Sequence, residues 1–260
     1  FFSGSGSVHG GSVRGGEELL RGMVSRLRHR GPDGMGFYAD AKVGLGCARL
    51  AVVGVTNGDQ PLAREDGTVR VIFNGGIFNY RELRRDLEAK GHRFTTLTDG
   101  EVLVHGYEEE GMAFFERLNG QFACALWDAK RERLHLARDR FGIAPLFYAE
   151  SGGTLFFASE IKALLAAPGV RPELDREALA QVFTFWAPVP PRTMFRGVSQ
   201  VLPGTYWTID ASGKREVRYW DLDFTVRATG HEGHEAERFE ELFADAVRIR
   251  LRADVPVGVY

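Results

Sequence analysis

The sequence has little that would cross-link it or hold it in a membrane. Two cysteines, Cys47 and Cys124, in 260 residues form no disulfide framework and point to a reducing compartment. No apolar run approaches the ~20 residues a membrane-spanning helix needs. The opening Phe1-Phe2-Ser3-Gly4 has neither the charged start nor the apolar stretch of a signal peptide. Neither sign of charge dominates: a formal net charge of −2 leaves no electrostatic footprint for nucleic acid or an anionic membrane. His29, His92, His105 and His135 show no metal-ligand spacing, so no metal is expected on this chain. Repeats and low-complexity tracts are absent too. These absences predict a cytoplasmic globular protein, and an apolar content of 44% is ample for a sizeable core. The length allows one large domain, or one domain with part of another. The chain begins without Met at two phenylalanines that look like the tail of a buried strand. It stops at Val255-Pro256-Val257-Gly258-Val259-Tyr260, which looks like the start of one. Both ends are therefore expected to be cut.

What is present is organised around Val69-Arg70-Val71-Ile72-Phe73-Asn74-Gly75-Gly76-Ile77-Phe78-Asn79-Tyr80. A β-branched apolar run meets Asn74-Gly75-Gly76, and a helix-start signal follows at Asn79 with Glu82 three residues on. The two glycines permit positive φ or a close backbone approach. One reading is a strand-to-helix turn that needs Asn and Gly. The other is an oxyanion site made by the Asn74 side-chain amide and the Gly75 N–H.

Helical spacing of Leu19, Leu20, Met23, Val24 and Leu27 predicts a helix from about Glu17 to Arg28. Arg28-His29-Arg30-Gly31-Pro32 ends it in a basic turn, which a helix C-terminus favours without any ligand. Arg49 interrupts the apolar strand Cys47-Ala48-Arg49-Leu50-Ala51-Val52-Val53. A half-buried guanidinium needs an anion, either a structural carboxylate or a bound one. A helix is expected from Tyr80 to Lys90. Asp99 stands where a short strand enters the next helix, as an N-cap or as a site carboxylate. Gln121–Asp128 and Arg133–Asp139 read as a hairpin, and Thr154–Ala158 as a strand running into a helix. Asp175 is expected to cap a helix, Thr205–Ile209 and Glu216–Trp220 to pair, and residues 236–252 to form a long amphipathic helix after a polar linker.

Arg28-His29-Arg30-Gly31-Pro32-Asp33-Gly34, Ala48-Arg49-Leu50, Gln60-Pro61-Leu62, Asn74-Gly75-x-Ile77-Phe78-Asn79, Thr98-Asp99-x-Glu101-Val102, Leu118-Asn119-Gly120, Arg138-Asp139-Arg140-Phe141-Gly142 and Ala158-Ser159-Glu160-Ile161-Lys162 stand in one order. In that order and over nearly the whole chain, the sequence resembles glutamine-hydrolysing asparagine synthetases. The resemblance implies an α+β fold: a four-layer αββα N-terminal-nucleophile glutaminase domain of two packed antiparallel sheets. The first helix of an α/β ATP-pyrophosphatase-type synthetase domain would follow. It divides the chain into an amidotransferase domain (1–208), a connecting strand and linker (209–234) and the start of the synthetase domain (235–260). By position it implies that Arg49 binds the glutamine α-carboxylate, that the backbone of Leu50, Ala51, Val52 and Val53 lines the pocket, and that Asn74 and Gly75 form the oxyanion hole. Gly76 lies beside the substrate, and Asp99 faces its α-ammonium. L-Glutamine would be the substrate, with ammonia passed to the protein's own synthetase domain. ATP and Mg2+ would bind outside this chain, none within residues 1–234; no nucleic acid or membrane partner is expected, and a homodimer is an open expectation.

Three departures accompany the resemblance. The family's nucleophile, an N-terminal Cys in Cys-Gly-Ile-x-Gly with its own α-amine as base, is not in this chain, so the chain as given is expected not to hydrolyse glutamine. Gly76 stands where the family usually has Glu, and Cys47 where it often has His. A catalytically inactive glutaminase-like domain supporting an amide- or ring-forming synthetase is the alternative, and a hydrolase using Cys47 ranks behind it.

Overall fold

Period-two patterning builds the centre of the molecule. Along Gly120–Asp128 the side chains of Phe122, Cys124 and Leu126 enter one core and those of Ala123, Ala125 and Trp127 another, as a strand buried on both faces requires. The computed structural model describes residues 1–3, 13–225 and 232–258. One antiparallel sheet holds β4 (Leu62–Ala63), β5 (Val69–Ile77), β6 (Gly120–Asp128), β7 (Arg133–Arg138), β11 (Thr205–Asp210) and β12 (Gly213–Arg218), in the order β12-β11-β7-β6-β5-β4. The other runs β1-β9-β8-β10, from β1 (Phe2–Ser3), β8 (Phe147–Ser151), β9 (Thr154–Ala158) and β10 (Val198–Gln200). The hairpin of β2 (Gly34–Ala39) and β3 (Gly44–Arg49) joins the β1 edge of that second sheet. The join is made by a Phe2–Val43 bridge and reciprocal backbone bonds between Phe1 and Gly44.

Three apolar clusters hold four layers together. Phe2, Val43, Leu45, Trp127, Leu136, Leu155, Phe157 and Trp207 fill the space between the sheets. Outside the six-stranded sheet, Phe73, Leu126 and Phe122 meet α2 (Tyr80–Ala89), α3 (Glu101–Glu110) and the 3-10 turn Gly111–Arg117 through Leu83, Leu87, Leu103 and Phe114. Outside the other, Phe1, Ala149 and Phe156 pack on α1 (Val13–Ser25) and α4 (Ile161–Leu164) through Leu20, Met23, Val24 and Leu164. The expected αββα sandwich is thus the observed one. Further along lie α5 (Arg176–Phe185) and α6 (Glu232–Arg250). Among the described residues no helix is long and apolar enough to cross a membrane.

Local expectations differ from the structure in informative places. Strand β5 does not stop at Asn74 but continues to Ile77, because Gly75 and Gly76 pair with Phe122 and Gln121 of β6. Asn79 and Glu82 make no capping box. The Asn79 carboxamide instead accepts from Asn119 N–H and donates to Arg117 O, while Glu82 pairs with Arg252. Asp99 is no N-cap either, since Gly100 holds that position without a side-chain bond. Asp175 does cap α5, accepting from the N–H groups of Glu177 and Ala178. β3 ends at Arg49, and residues 50–59 leave the sheet as a loop. β12 closes the edge of the six-stranded sheet, so the sheet reaches into the segment assigned by sequence to a connecting strand.

Candidate active site

The C-terminal end of β5 carries Asn74, Gly75 and Gly76 in extended pairing with β6. Gly75 has φ +123°, a conformation that L side chains rarely adopt, and a Cβ there would fall 1.8 Å from the Gln121 carbonyl oxygen. Backbone geometry therefore demands glycine at this point. Gly75→Ala is expected to cost on the order of 3 kcal/mol of stability, read as a lowered denaturation midpoint. Gly76 is different: a Cβ there meets only ordinary contacts, 3.6 Å from Asp99 Oδ2 and 3.7 Å from the Phe78 ring.

Asp99 reaches the same corner from the segment before α3. Its Oδ2 accepts the Ile77 N–H at 2.7 Å and its Oδ1 the Thr98 hydroxyl at 3.3 Å. It is 5% exposed, and among the described residues it has no cationic partner. Burial pushes its carboxyl above the usual carboxylate range, against the opposing pull of the Ile77 and Thr98 bonds. A buried acid next to glycine backbone, without a counter-ion, is poised to receive one.

Arg49 organises the loop that follows β3. Its Nη2 donates to Gly54 O at 2.6 Å and Val53 O at 3.3 Å; its Nη1 donates to Asp59 Oδ1 at 3.2 Å and, more distantly, to Val55 O. The structural-carboxylate reading is thus met by Asp59. That side chain is 91% exposed, however, and such ion pairs contribute little. The loop turns back on Thr98: a Cβ at Gly58 would lie 2.4 Å from Arg49 Nη2 and 3.0 Å from Thr98 Cβ. Arg49 is thereby placed next to the segment that carries Asp99.

These groups line one cavity of about 420 Å³, within the range of small-molecule sites. Arg49, Leu50, Val52, Val53, Asn74, Gly75, Gly76 and Asp99 all face it. Ala51 does not: its N–H is turned away to Asp33 Oδ2 at 2.8 Å. The expected backbone lining by residues 50–53 is also largely committed elsewhere, since Val52 O accepts from Asp254 N–H and Val53 O from Arg49. A guanidinium on one wall and a lone carboxylate on another, with an amide and glycine backbone beside them, suit a zwitterion bearing a polar side chain. Sequence reasoning missed two contributors. Gln60 fixes β5 by accepting Phe73 N–H at 2.7 Å and also lines the cavity. Arg252, on the far side of a polar linker, donates to Phe78 O and grips Glu82 through two bonds of 2.6 and 2.7 Å. Asp254 then accepts Gly54 N–H at 2.8 Å, so the end of the chain is stitched across the cavity rim. No local pattern announces either contact; for Gln60 the Gln-Pro-Leu motif was the one available signal.

The sequence profile of a glutamine amidotransferase domain matches residues 6–220. The chain belongs to the glutamine amidotransferase domain family. The amidotransferase domain is 40% identical over 245 residues to asparagine synthetase [glutamine-hydrolyzing] 1 of Bacillus subtilis, covering 94% of this chain and 38% of that protein. It is 36% identical over 250 residues to amidase chyE of Penicillium rubens, covering 93% and 36%. The chain thus spans well under half the length of these relatives. Among solved structures, glutamine phosphoribosylpyrophosphate amidotransferase from B. subtilis superposes with a TM-score of 0.54 at 21% identity, covering 78% of this chain and 46% of that one, a likeness of fold. Burial works against activation of either cysteine of the amidotransferase domain. Burial pushes the Cys47 thiol up to about 11, against the nearby Arg49 charge, and Cys124 to about 12, whereas a nucleophilic thiol needs its pKa lowered.

Proposed function

We propose that this domain is the glutaminase part of a longer, glutamine-dependent asparagine synthetase. L-Glutamine would lie with its α-ammonium on Asp99, its α-carboxylate on Arg49 and its side-chain carbonyl oxygen on Asn74 Nδ2 and Gly75 N–H. The observation that supports this most is the buried Asp99 carboxylate, which has no cation among the described residues yet faces the cavity that Arg49 and Asn74 share. The weak Asp59 pair yields Arg49 Nη1 to the substrate carboxylate.

The reaction proposed is acyl transfer to a cysteine of the longer protein ahead of Phe1, a residue that itself lines the cavity. The cysteine's own α-amine takes the thiol proton, sulfur attacks the amide carbon, and charge collects on the carbonyl oxygen facing Asn74 and Gly75. Ammonia leaves with that proton, and water hydrolyses the thioester to glutamate. The ammonia is proposed to pass to an activated aspartate in the rest of the protein, and the cavity-rim contacts of Arg252 and Asp254 support coupling of the two parts. ATP and Mg2+ are assigned to that remainder. The metal-ligand cluster among the described residues, two His and one Glu, does not suit Mg2+, which takes oxygen ligands.

The test is ammonia release from L-glutamine by the full-length protein. Cys47→Ala is expected to leave the rate within about twofold, since a thiol that burial holds protonated takes no part in the acyl transfer. Abolished activity would make Cys47 the nucleophile and overturn the assignment. A second reading, a binding domain without hydrolysis, draws on Gly76, where the backbone does not demand glycine. Glutamine binding to the full-length protein without ammonia release selects that reading.

A further inference from the structure

On the outer helical layer, away from the cavity, three potential ligands converge, two from α3 and one from the turn after α2. Gly91, with φ +99°, turns the chain at the end of α2, and His92 N–H bonds back to Leu87 O. This lays His92 over α3, where His105 and Glu108 share a face at i,i+3 spacing. His92 Nδ1 lies 3.6 Å from Glu108 Oε2, and His105 Nδ1 lies 4.0 Å from the same oxygen. One ligand atom from each of the three residues falls within 4.8 Å of the others.

A second observation points to a ligand at this place. His105 is 1% exposed, yet neither of its ring nitrogens has a hydrogen-bond partner. A buried imidazole whose Nδ1 and Nε2 meet only carboxylates beyond hydrogen-bond reach, Glu108 at 4.0 Å and Glu101 at 3.6 Å, calls for an explanation, and an ion is one of the few available. Both imidazoles also have a carboxylate behind them. Glu101 Oε1 stands 3.6 Å from His105 Nε2, and Glu109 Oε2 stands 3.2 Å from His92 Nε2. Such carboxylate–histidine pairs fix the tautomer and ring orientation of metal-bound histidines. The remaining Glu108 oxygen is held by Arg64, which leaves Oε2 aimed at the histidines, and Lys90 balances Glu109 at 3.1 Å.

We propose that His92 Nδ1, His105 Nδ1 and Glu108 Oε2 bind one divalent first-row transition ion, Zn2+ foremost, with water as a fourth ligand. Metal–ligand bonds of about 2.0–2.2 Å require the three donors, within 4.8 Å of one another, to close up around the ion. Two imidazoles and one carboxylate suit Zn2+ and exclude Ca2+ and Mg2+ as preferred occupants. The ion pins the α2–α3 connection. Through His105 it also steadies Glu101, whose carboxylate receives the N–H and hydroxyl groups of both Thr95 and Thr96. That segment leads directly to Asp99, so the site supports the glutamine pocket without touching it.

The test is calorimetric titration of chelator-stripped full-length protein with Zn2+, with Co2+ absorption reporting the ligand set. The expected result is one equivalent bound per chain, with tetrahedral-type Co2+ bands that lack thiolate charge transfer. Substitution of buried His105 risks misfolding, so the variants are the less buried His92→Ala and Glu108→Gln, each expected to weaken binding at least about tenfold, and Glu109→Gln, expected to weaken it less. Lack of stoichiometric uptake, or wild-type affinity in the folded His92→Ala/Glu108→Gln double variant, overturns the proposal.

Discussion

Asn74→Ala in the full-length protein is expected to slow glutamine turnover by roughly a hundredfold to a thousandfold, equivalent to about 3–4 kcal/mol in the barrier, with KM nearly unchanged. The split follows from where the charge is. The ground-state amide oxygen is neutral and loses little when one donor is removed, whereas the tetrahedral oxyanion depends on it. The fold should tolerate the change, because Asn74 is only half-buried and its carboxamide supports no other described residue. Steady-state ammonia release combined with a thermal melt separates the outcomes. An unchanged turnover rate would remove Asn74 from the oxyanion site, and a large rise in KM alone would make it a ground-state binding group.

Asp99→Asn is expected to move stability and binding in opposite directions. A carboxyl whose folded-state pKa is raised holds its proton more tightly in the folded protein than in the unfolded chain. Its contribution to stability therefore falls as pH rises from the unfolded value of 3.8 to the raised one. Above that raised value the ionised Asp99, without a cationic partner among the described residues, is a net burden on the ligand-free protein. Asparagine still accepts the Ile77 N–H but carries no charge, so Tm should rise at a pH above the raised value. Glutamine binding should weaken by at least about 2 kcal/mol, roughly thirtyfold, because a buried ammonium then lacks its partner. In the wild type, affinity should decline on acidification from a higher pH than an ordinary carboxylate would produce. A variant that is both less stable and equally tight-binding would show that Asp99 serves the fold and not the ligand.

How much of this was legible in the sequence depended on how local the cause was. Strand β9 was readable as Thr154–Ala158, and the β6–β7 hairpin nearly so, because their apolar runs are bounded by turn residues. Asp175 was readable as a cap since the motif lies within four residues. Asn74-Gly75-Gly76 misled as a strand end because only the opposing β6 backbone, some 45 residues later, keeps these glycines in the ladder. Among the site residues Arg49 stood out as an arginine in an apolar strand, whereas Asp99 fitted a helix N-cap equally well until the structure gave that position to Gly100. The partners of Arg49 did not stand out, because Asp59, Gly54 and Val53 reach it from an irregular loop. The histidine cluster was hidden for the same reason. Its three residues share no motif, and a positive-φ glycine brings the first over the helix bearing the other two.

One cavity is expected to grip a free amino acid by its two charged ends. Calorimetric titration of the folded protein with L-glutamine, with glutaramate, which lacks the α-ammonium, and with decarboxylated glutamine, which lacks the α-carboxylate, tests it most directly. L-Glutamine should bind at one site per chain, and each analogue should bind at least about tenfold more weakly, the loss of one buried charge-assisted contact. Equal affinity for all three compounds would contradict the assignment of Asp99 and Arg49 to the substrate.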